Sequence, residues 1–496
     1  MRSPLMSPLV RDRRSFIKAS AAATLGAGLG WLPRADGQSP TSAASKADYT
    51  LRIANAHIEL APGHDVATTT YNGQFPGPLL RLSEGRRVTV DLYNDTGVAE
   101  QLHWHGQNLA VDVDGSAEEG TPYIPAHGMR RVAFMPGPPG LRFYHSHLIA
   151  GNNLAAGLYS GQAGPVYIEP RREPGRYDRE VFLVLKEFVP TLSHGGDMDM
   201  DFLQPATTDS QLKASGENAM AASLKRGMPH GYEVGYKFFS INGRMLGHGE
   251  PVRVKQGERV LFHVLNASAT EIRSLALPGH TFTVVALDGN PVPSPAPVQA
   301  LWIGTAERVS AIVEMNRPGV WILGDLSDDD REHGMGVVLE YAGAKGKPRW
   351  AKPAAAKWDY TVFGKGVPLA AEETIEMVFA KNNAALEGFN EWTINGTAFS
   401  MKKMSPMFHL RRGRRYRLAL RNASDDIHPV HLHRHSFELT RIAGTPTAGI
   451  MKDVVMLGGY QQLEVDFLAD NPGRTLFHCH QQLHMDFGFM ALFDYV

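Results

Sequence analysis

The sequence predicts an all-β protein built as three consecutive Greek-key β-sandwiches. Two observations carry this. Alternation with a period of two, bounded by Gly, Pro and Asn, fills the chain, whereas the 3.6-residue periodicity of amphipathic helices is scarce. One pattern of turns and strands also occurs three times, which marks a repeat architecture.

Each copy opens on an Asn-Gly turn: Asn72-Gly73, Asn242-Gly243 and Asn395-Gly396. A second turn follows, Gly85-Arg86-Arg87, Gly257-Glu258-Arg259 or Gly413-Arg414-Arg415. From it starts an alternating strand, Val88 to Leu92, Val260 to Val264 or Tyr416 to Leu420, which runs into Asn94, Asn266 or Asn422. Units of roughly 120–170 residues fit Greek-key sandwiches. They are placed at 48–170, 178–345 and 356–496, with Pro/Gly/Ala/Lys-rich linkers at about 170–176 and 342–357. A polar stretch at 194–232, carrying Met198, Met200, Met220, Met228, His194 and His230, reads as a loop inserted in the second unit.

A chain of 496 residues has room for three such domains. With 43% hydrophobic and 20% charged residues and a formal net charge of -1, it has the composition of a soluble globular protein. That charge argues against nucleic acid or an anionic membrane as partner. Residues 1–37 stand apart. Arg13-Arg14-Ser15-Phe16-Ile17-Lys18 precedes a small, weakly apolar run to Trp31 and resembles a bacterial Tat export signal; a basic tail before an Ala/Gly linker is the alternative. The signal implies the Tat machinery as partner and a periplasmic or secreted protein. The run is too short and Gly-rich to span a membrane, and no other segment is a candidate. Cys479 is the only cysteine, so no intrachain disulfide forms.

Four histidine clusters stand out: His103-Trp104-His105, His145-Ser146-His147, His428-Pro429-Val430-His431-Leu432-His433, and His478-Cys479-His480 with His484. Alternate residues of a strand share a face, so each His-x-His offers two imidazoles to one side. The repeat supplies a control. Phe143 to His147 lines up with Leu476 to His480, and both line up with Ile322 to Leu326 in the middle unit, which has no histidine; His431 and His433 likewise match Ala276 and Pro278. The framework does not require these imidazoles. They belong to a site between the first and third units, with the second as spacer. The other histidines, including His57, His194, His230, His263 and His280, read as ordinary core or surface residues, and His435, on the strand face of His431 and His433, as a neighbour of the site or a surface residue.

These four motifs, in this order and across the whole chain after residue 37, resemble the multicopper oxidases of the laccase group, a family of cupredoxin domains. The resemblance implies four copper ions. Cys479, His428 and His484 would hold the type 1 ion; thiolate with two imidazoles is the trigonal blue-copper donor set. His103 and His431 would hold the type 2 ion. His105, His145, His147, His433, His478 and His480 would hold the type 3 pair. The implied activity is one-electron oxidation of small reducing substrates, phenols or aromatic amines, coupled to four-electron reduction of O2 to water.

Three details depart from the pattern or extend it. The axial position of the type 1 site is Phe489, which has no lone pair to donate; a register slip that makes Met490 the ligand is the alternative. Asp114 matches the acidic residue that relatives place near the trinuclear site, with Asp112 as competitor and Asp486 as a second candidate proton donor. Arg434 stands where the family usually has Gly and is expected to point to solvent.

Two other readings stay open. One is a cuprous or ferrous oxidase, with the methionines of 194–232 delivering Cu(I). The other is a copper-binding scaffold without turnover, which oxygen consumption by copper-loaded protein distinguishes. Copper nitrite reductase normally lacks the His-Cys-His arrangement.

Overall fold

The computed structural model describes residues 10–11, 46–171, 175–194, 201–227, 231–354 and 357–496. The export-signal motif, Arg13 to Trp31, lies outside the described residues, as do Met198, Met200, Met228 and His230.

Three sandwiches follow one another, each of two sheets. The first pairs a four-stranded sheet (His64–Tyr71, Tyr49–Ala61, Val88–Asn94, Met129–Phe134) with a second (Leu80–Ser83, Ala163–Glu169, Gly140–Ser146, Leu102–His105). The second and third follow the same plan with more strands. In all three an early strand runs parallel to the strand that ends in the repeated Asn, and the registers coincide: Ile53 opposes Asn94, Leu185 opposes Asn266, Phe379 opposes Asn422.

The repeated asparagines do the same work in each copy. Asn72, Asn242 and Asn395 have φ of 57°, 54° and 52°, and the glycine after each is also left-handed. Two successive positive φ values make the tight hairpin turn that Asn-Gly favours. Each side-chain oxygen accepts the N–H of the neighbouring strand (Arg52, Val184, Val378), and each amide donates two residues upstream (to Thr50, Phe182, Glu376). Asn94, Asn266 and Asn422 donate to main-chain carbonyls of the loops beyond their strands (Ile124, Ile303 and Gly458 among them). The repeat in the sequence is a repeat of hydrogen-bonding duties that hydrophobic pattern alone does not specify.

The segment expected as a loop at 194–232 contains a helix, Ser210–Lys225. Asp209 caps it, accepting from the N–H groups of Gln211 and Leu212. Only Leu212 and Ser223 are buried, so there is no apolar stripe to read. The helix packs on the strand Glu373–Leu386 of the third sandwich.

Arg434 also differs from expectation. It is 1% exposed, and its guanidinium donates to Leu109, Arg474 and Pro472 carbonyls and to Thr475 Oγ1 and Asn471 Oδ1, at 2.8–3.0 Å. It ties the first sandwich to the third. Its φ of 58° suits glycine, yet the buried guanidinium is held by these five acceptors and joins two sandwiches that glycine would leave unlinked here. Arg434→Gly is therefore expected to destabilise the protein by about 2–4 kcal/mol despite the relaxed backbone. The denaturant midpoint measures this, and an unchanged or raised midpoint refutes it.

Candidate metal centre

The strands bring the four histidine clusters to one seam. In the first sandwich His103 opposes His145 across the ladder; in the third His431 opposes His478. The equivalent pair in the second is Ala276 opposite Gly324. The same ladder position thus carries imidazoles in the outer sandwiches and none in the middle one. Rings from the two outer sandwiches stack on each other, His103 on His433 with centroids 3.9 Å apart and His105 on His431 at 3.8 Å. All ten imidazoles are at most 2% exposed.

Their hydrogen bonds leave one nitrogen of most rings facing inward. Nδ1 of His145 and of His478 lies 2.9 and 2.8 Å from the carbonyl of the next residue, and Nδ1 of His431 lies 2.7 Å from the Asp453 carbonyl. Nδ1 of His103 lies 2.9 Å from the Asp114 carbonyl, with Asp114 Oδ2 at 3.0 Å, and Nδ1 of His433 lies 2.9 Å from Asp114 Oδ2. These partners accept, so each Nδ1 donates and Nε2 is left bare. His105 is reversed: Nε2 faces Asp453 Oδ1 at 3.0 Å and Nδ1 faces His145 Nε2 at 3.3 Å.

The bare nitrogens have no protein partner that explains them. His103 Nε2, His431 Nε2 and both nitrogens of His147 and His480 are buried without a hydrogen bond among the described residues. Each such orphan costs about 1–3 kcal/mol. Burial holds His105, His145, His147, His431, His433, His478 and His480 well below the usual imidazole pKa, so their lone pairs are free at neutral pH. Buried, neutral, converging imidazoles fit cation binding and little else. Donor atoms of His103, His431 and His433, of His103, His105 and His145, and of His147, His433 and His478 each lie within 4.8 Å of one another.

A second centre lies on the other face of the strand Thr475–Cys479. Cys479 Sγ is 3.6 Å from His428 Nδ1 and 3.5 Å from His484 Nδ1, and these nitrogens are 3.2 Å apart. Ser424 Oγ donates to Asn422 Oδ1 and stands 2.8 Å from His428 Nε2, so that nitrogen donates and Nδ1 is bare toward the sulfur. The short helix Gln482–Asp486 turns His484 back onto Cys479. Burial pushes the Cys479 thiol well above its usual range, so a bound cation must displace a proton. Phe489 is fully buried, with its ring 4.8 Å from His428, and shares a core with Cys479. Met490 packs into a different cluster, with Leu476, Met485 and Leu492. Trp392 lies against His428 and His484, at 4.8 and 4.2 Å between centroids.

Of the acidic candidates, Asp114 is fully buried between His103 and His433, whereas Asp112 is exposed. Gly115 permits this: a Cβ there would stand 1.8 Å from the Leu102 carbonyl. Asp486 contacts neither cluster. It accepts from the N–H groups of Ala150 and Gly151 at 2.9 and 2.8 Å and from Gln482, joining a first-sandwich loop to the third sandwich. Burial raises it to about 8. His435 bonds the His433 carbonyl and Tyr495.

Residues the sequence did not flag also touch the site. Glu119 lies 3.5 Å from His433 Nδ1 and accepts from the Leu476 N–H; Glu118 lies 3.6 Å from His147; Asp453 contacts His105. None sits in a histidine motif, so only the folded chain reveals them.

The comparisons with known proteins agree with this geometry. Models of the multicopper oxidase family match residues 52–173, 204–338 and 368–496. Multicopper oxidase MmcO of Mycobacterium tuberculosis is 30% identical over 463 residues, covering 90% of this chain and 86% of that protein. Laccase-4 of Thanatephorus cucumeris is 24% identical over 519 residues, covering 90% and 89%. The crystal structure of Fet3p, a multicopper oxidase that functions in iron import, superposes with a TM-score of 0.72 at 18% identity, covering 90% of each chain.

Proposed function

The chain belongs to the multicopper oxidases, and on that premise we propose which residues hold the copper and which donors it oxidises. Copper is its cofactor, and its activity is the oxidation of reduced substrates at the expense of O2. The three cupredoxin-like units are taken to run 48–170, 178–345 and 356–496, after an N-terminal Tat-type signal that directs the protein out of the cytoplasm.

Bound copper supplies one-electron acceptance at one centre and stored electrons for O2 at the other. Cys479, His428 and His484 form the type 1 set; His103 and His431 the type 2 set; His105, His145, His147, His433, His478 and His480 the type 3 set. The observation that carries this is the two-sided strand His478-Cys479-His480: its sulfur faces His428 and His484, while its flanking imidazoles face the other cluster. The Nδ1–H of His478 donates to the Cys479 carbonyl at 2.8 Å, a second link between the centres beside the covalent one. Asp114, held against two imidazoles with Oδ1 lacking a hydrogen-bond partner among the described residues, is the proposed proton donor to reduced oxygen. Asp486 is the weaker candidate, because its contacts are to main chain and Gln482. The test is to load purified protein with copper and measure blue colour, copper content and oxygen uptake together.

Phe489, whose ring packs on His428 at 4.8 Å between centroids, would offer no lone pair to an ion held by Cys479, His428 and His484. Losing a weak axial ligand favours Cu(I) and raises the potential. Phe489→Met is expected to lower the potential of the blue band in a redox titration; an equal or higher potential refutes the axial assignment.

Small phenols and aromatic amines are the proposed donors. A cuprous or ferrous oxidase is the second reading, and one observation favours it. His428 and His484 are 0% and 1% exposed among the described residues, so bulky donors have no open imidazole edge. Asp425 and Asp426 lie nearby, paired with Lys381 at 2.5 and 2.7 Å, and Asp426 acts electrostatically on His484. The helix Ser210–Lys225 covers this side, with Met220 Sδ 2.7 Å from Asn383 Nδ2. Deleting 194–232 separates the readings. Faster turnover of bulky phenols with Cu(I) oxidation unchanged supports the first; loss of Cu(I) oxidation supports the second.

A further inference from the structure

Behind the oxygen-side cluster lies a buried group of charges in which all three sandwiches take part. Arg142, Asp288, Glu307, Arg308, Lys452 and Asp453 are each at most 2% exposed. Arg308 of the middle sandwich meets Asp453 in a bidentate pair, Nη1 to Oδ1 at 2.7 Å and Nη2 to Oδ2 at 2.6 Å. Arg142 of the first sandwich adds a contact at 3.3 Å. Asp288, also of the middle sandwich, accepts from the N–H groups of Asp453 and Val454 at 3.2 and 3.1 Å and forms an ion pair with Lys452 at 3.0 Å. Lys452 reaches Glu307 at 3.0 Å.

Asp453 faces the cluster with two groups. Its carboxylate Oδ1 lies 3.0 Å from His105 Nε2, and its carbonyl lies 2.7 Å from His431 Nδ1. The carboxylate explains why His105 is turned the opposite way from His103, His145, His431, His433 and His478. A carboxylate held by two guanidiniums is an acceptor, so His105 must keep its hydrogen on Nε2 and leave Nδ1 bare toward His145. The glycine after His105 has its reason here too. Gly106 has φ +78°, and a Cβ would stand 2.7 Å from both Arg308 Nη2 and Asp453 Oδ2.

We propose that Asp453 is a positioning residue for His105 and His431, and that Arg308, from the sandwich that contributes no metal ligand, fixes Asp453 in place. The middle unit is then part of the oxygen-reducing site rather than a spacer. Partners of this kind set the tautomer and orientation of a ligating imidazole, and their loss typically weakens metal binding about 10–100-fold. The inference rests on the proposed assignment of His105 and His431 as copper ligands.

Asp453→Asn keeps the shape and removes the charge. The copper-loaded variant is expected to keep the blue band of the distant Cys479 site, which reports a folded third sandwich. Copper should leave the oxygen-side cluster about 10–100-fold more readily, and the spin-resonance signal of the type 2 ion should change. Arg308→Lys, which keeps the charge and loses the bidentate geometry, should give the same changes in smaller measure. A variant with a blue band, full copper content and an unaltered type 2 signal overturns the proposal. Wild-type protein that takes up no copper and stays colourless overturns the copper assignment first, and the proposal with it. Should neither variant fold, wild-type apoprotein decides: with 15N-labelled histidine, and the His105 signal identified by its loss in His105→Gln, the neutral ring must carry its proton on Nε2. A proton on Nδ1 overturns the proposal.

Discussion

Cys479→Ser is expected to abolish the blue colour and drop oxidation of every donor to background, with the fold retained. The sulfur is the only thiol in the chain, and it meets the bare nitrogens of His428 and His484 at 3.6 and 3.5 Å. A thiolate is the soft donor that gives a blue copper site its colour and its tolerance of Cu(I). A serine hydroxyl is smaller and harder, and it stays protonated at neutral pH. The side chain is fully buried in the core that contains Phe489 and Phe477, so the change costs some packing but leaves the strand ladder intact. Copper content is expected to fall by one equivalent, because the imidazoles on the opposite strand face do not depend on the sulfur. The measurements are the visible spectrum, copper content and oxygen uptake with a phenol and with Cu(I). Retained colour together with retained turnover would falsify the type 1 assignment.

What the sequence revealed and what it hid follow from range. The imidazoles of the seam were legible because strand alternation is local: His103 and His105 two apart, or His478 and His480 flanking Cys479, announce a shared face before any fold is known. The internal repeat did the rest, since Ala276 and Gly324 occupy the ladder position that His431 and His478 hold in the third sandwich. Asp453 was hidden because its meaning depends on His105, 348 residues away, and on Arg308 from another sandwich. Arg434 was misread for a related reason: its acceptors at Leu109 and at residues 471–475 converge only after the outer sandwiches meet. The helix Ser210–Lys225 was missed because it buries little apolar surface of its own and is held by its cap and its docking site.

Asp114→Asn should separate proton supply from electron supply. Asp114, at the end of the helix Val111–Asp114, sits between His103 and His433: its Oδ2 accepts from His433 Nδ1, and its main-chain carbonyl accepts from His103 Nδ1, which lies 3.0 Å from the same Oδ2. Its other carboxylate oxygen is buried without a partner among the described residues, so it is free to hold or pass a proton. Asparagine keeps the volume, an acceptor oxygen for His433 and the main-chain carbonyl that holds His103, but cannot carry a transferable proton. Neither Asp114 oxygen touches Cys479, His428 or His484, so the blue band and the rate at which donors reduce it are expected to stay unchanged. Reoxidation by O2, followed as recovery of that band after full reduction, should slow about 10²–10⁴-fold, the usual contribution of a positioned acid. The steady-state rate should then be limited by oxygen rather than by donor. Asp486→Asn is the matched control: its carboxyl bonds Ala150, Gly151 and Gln482, so its replacement should alter stability more than reoxidation. If Asp486→Asn slows reoxidation and Asp114→Asn does not, the proton enters from the side of the helix Gln482–Asp486, and Asp114 only orients the two imidazoles it touches.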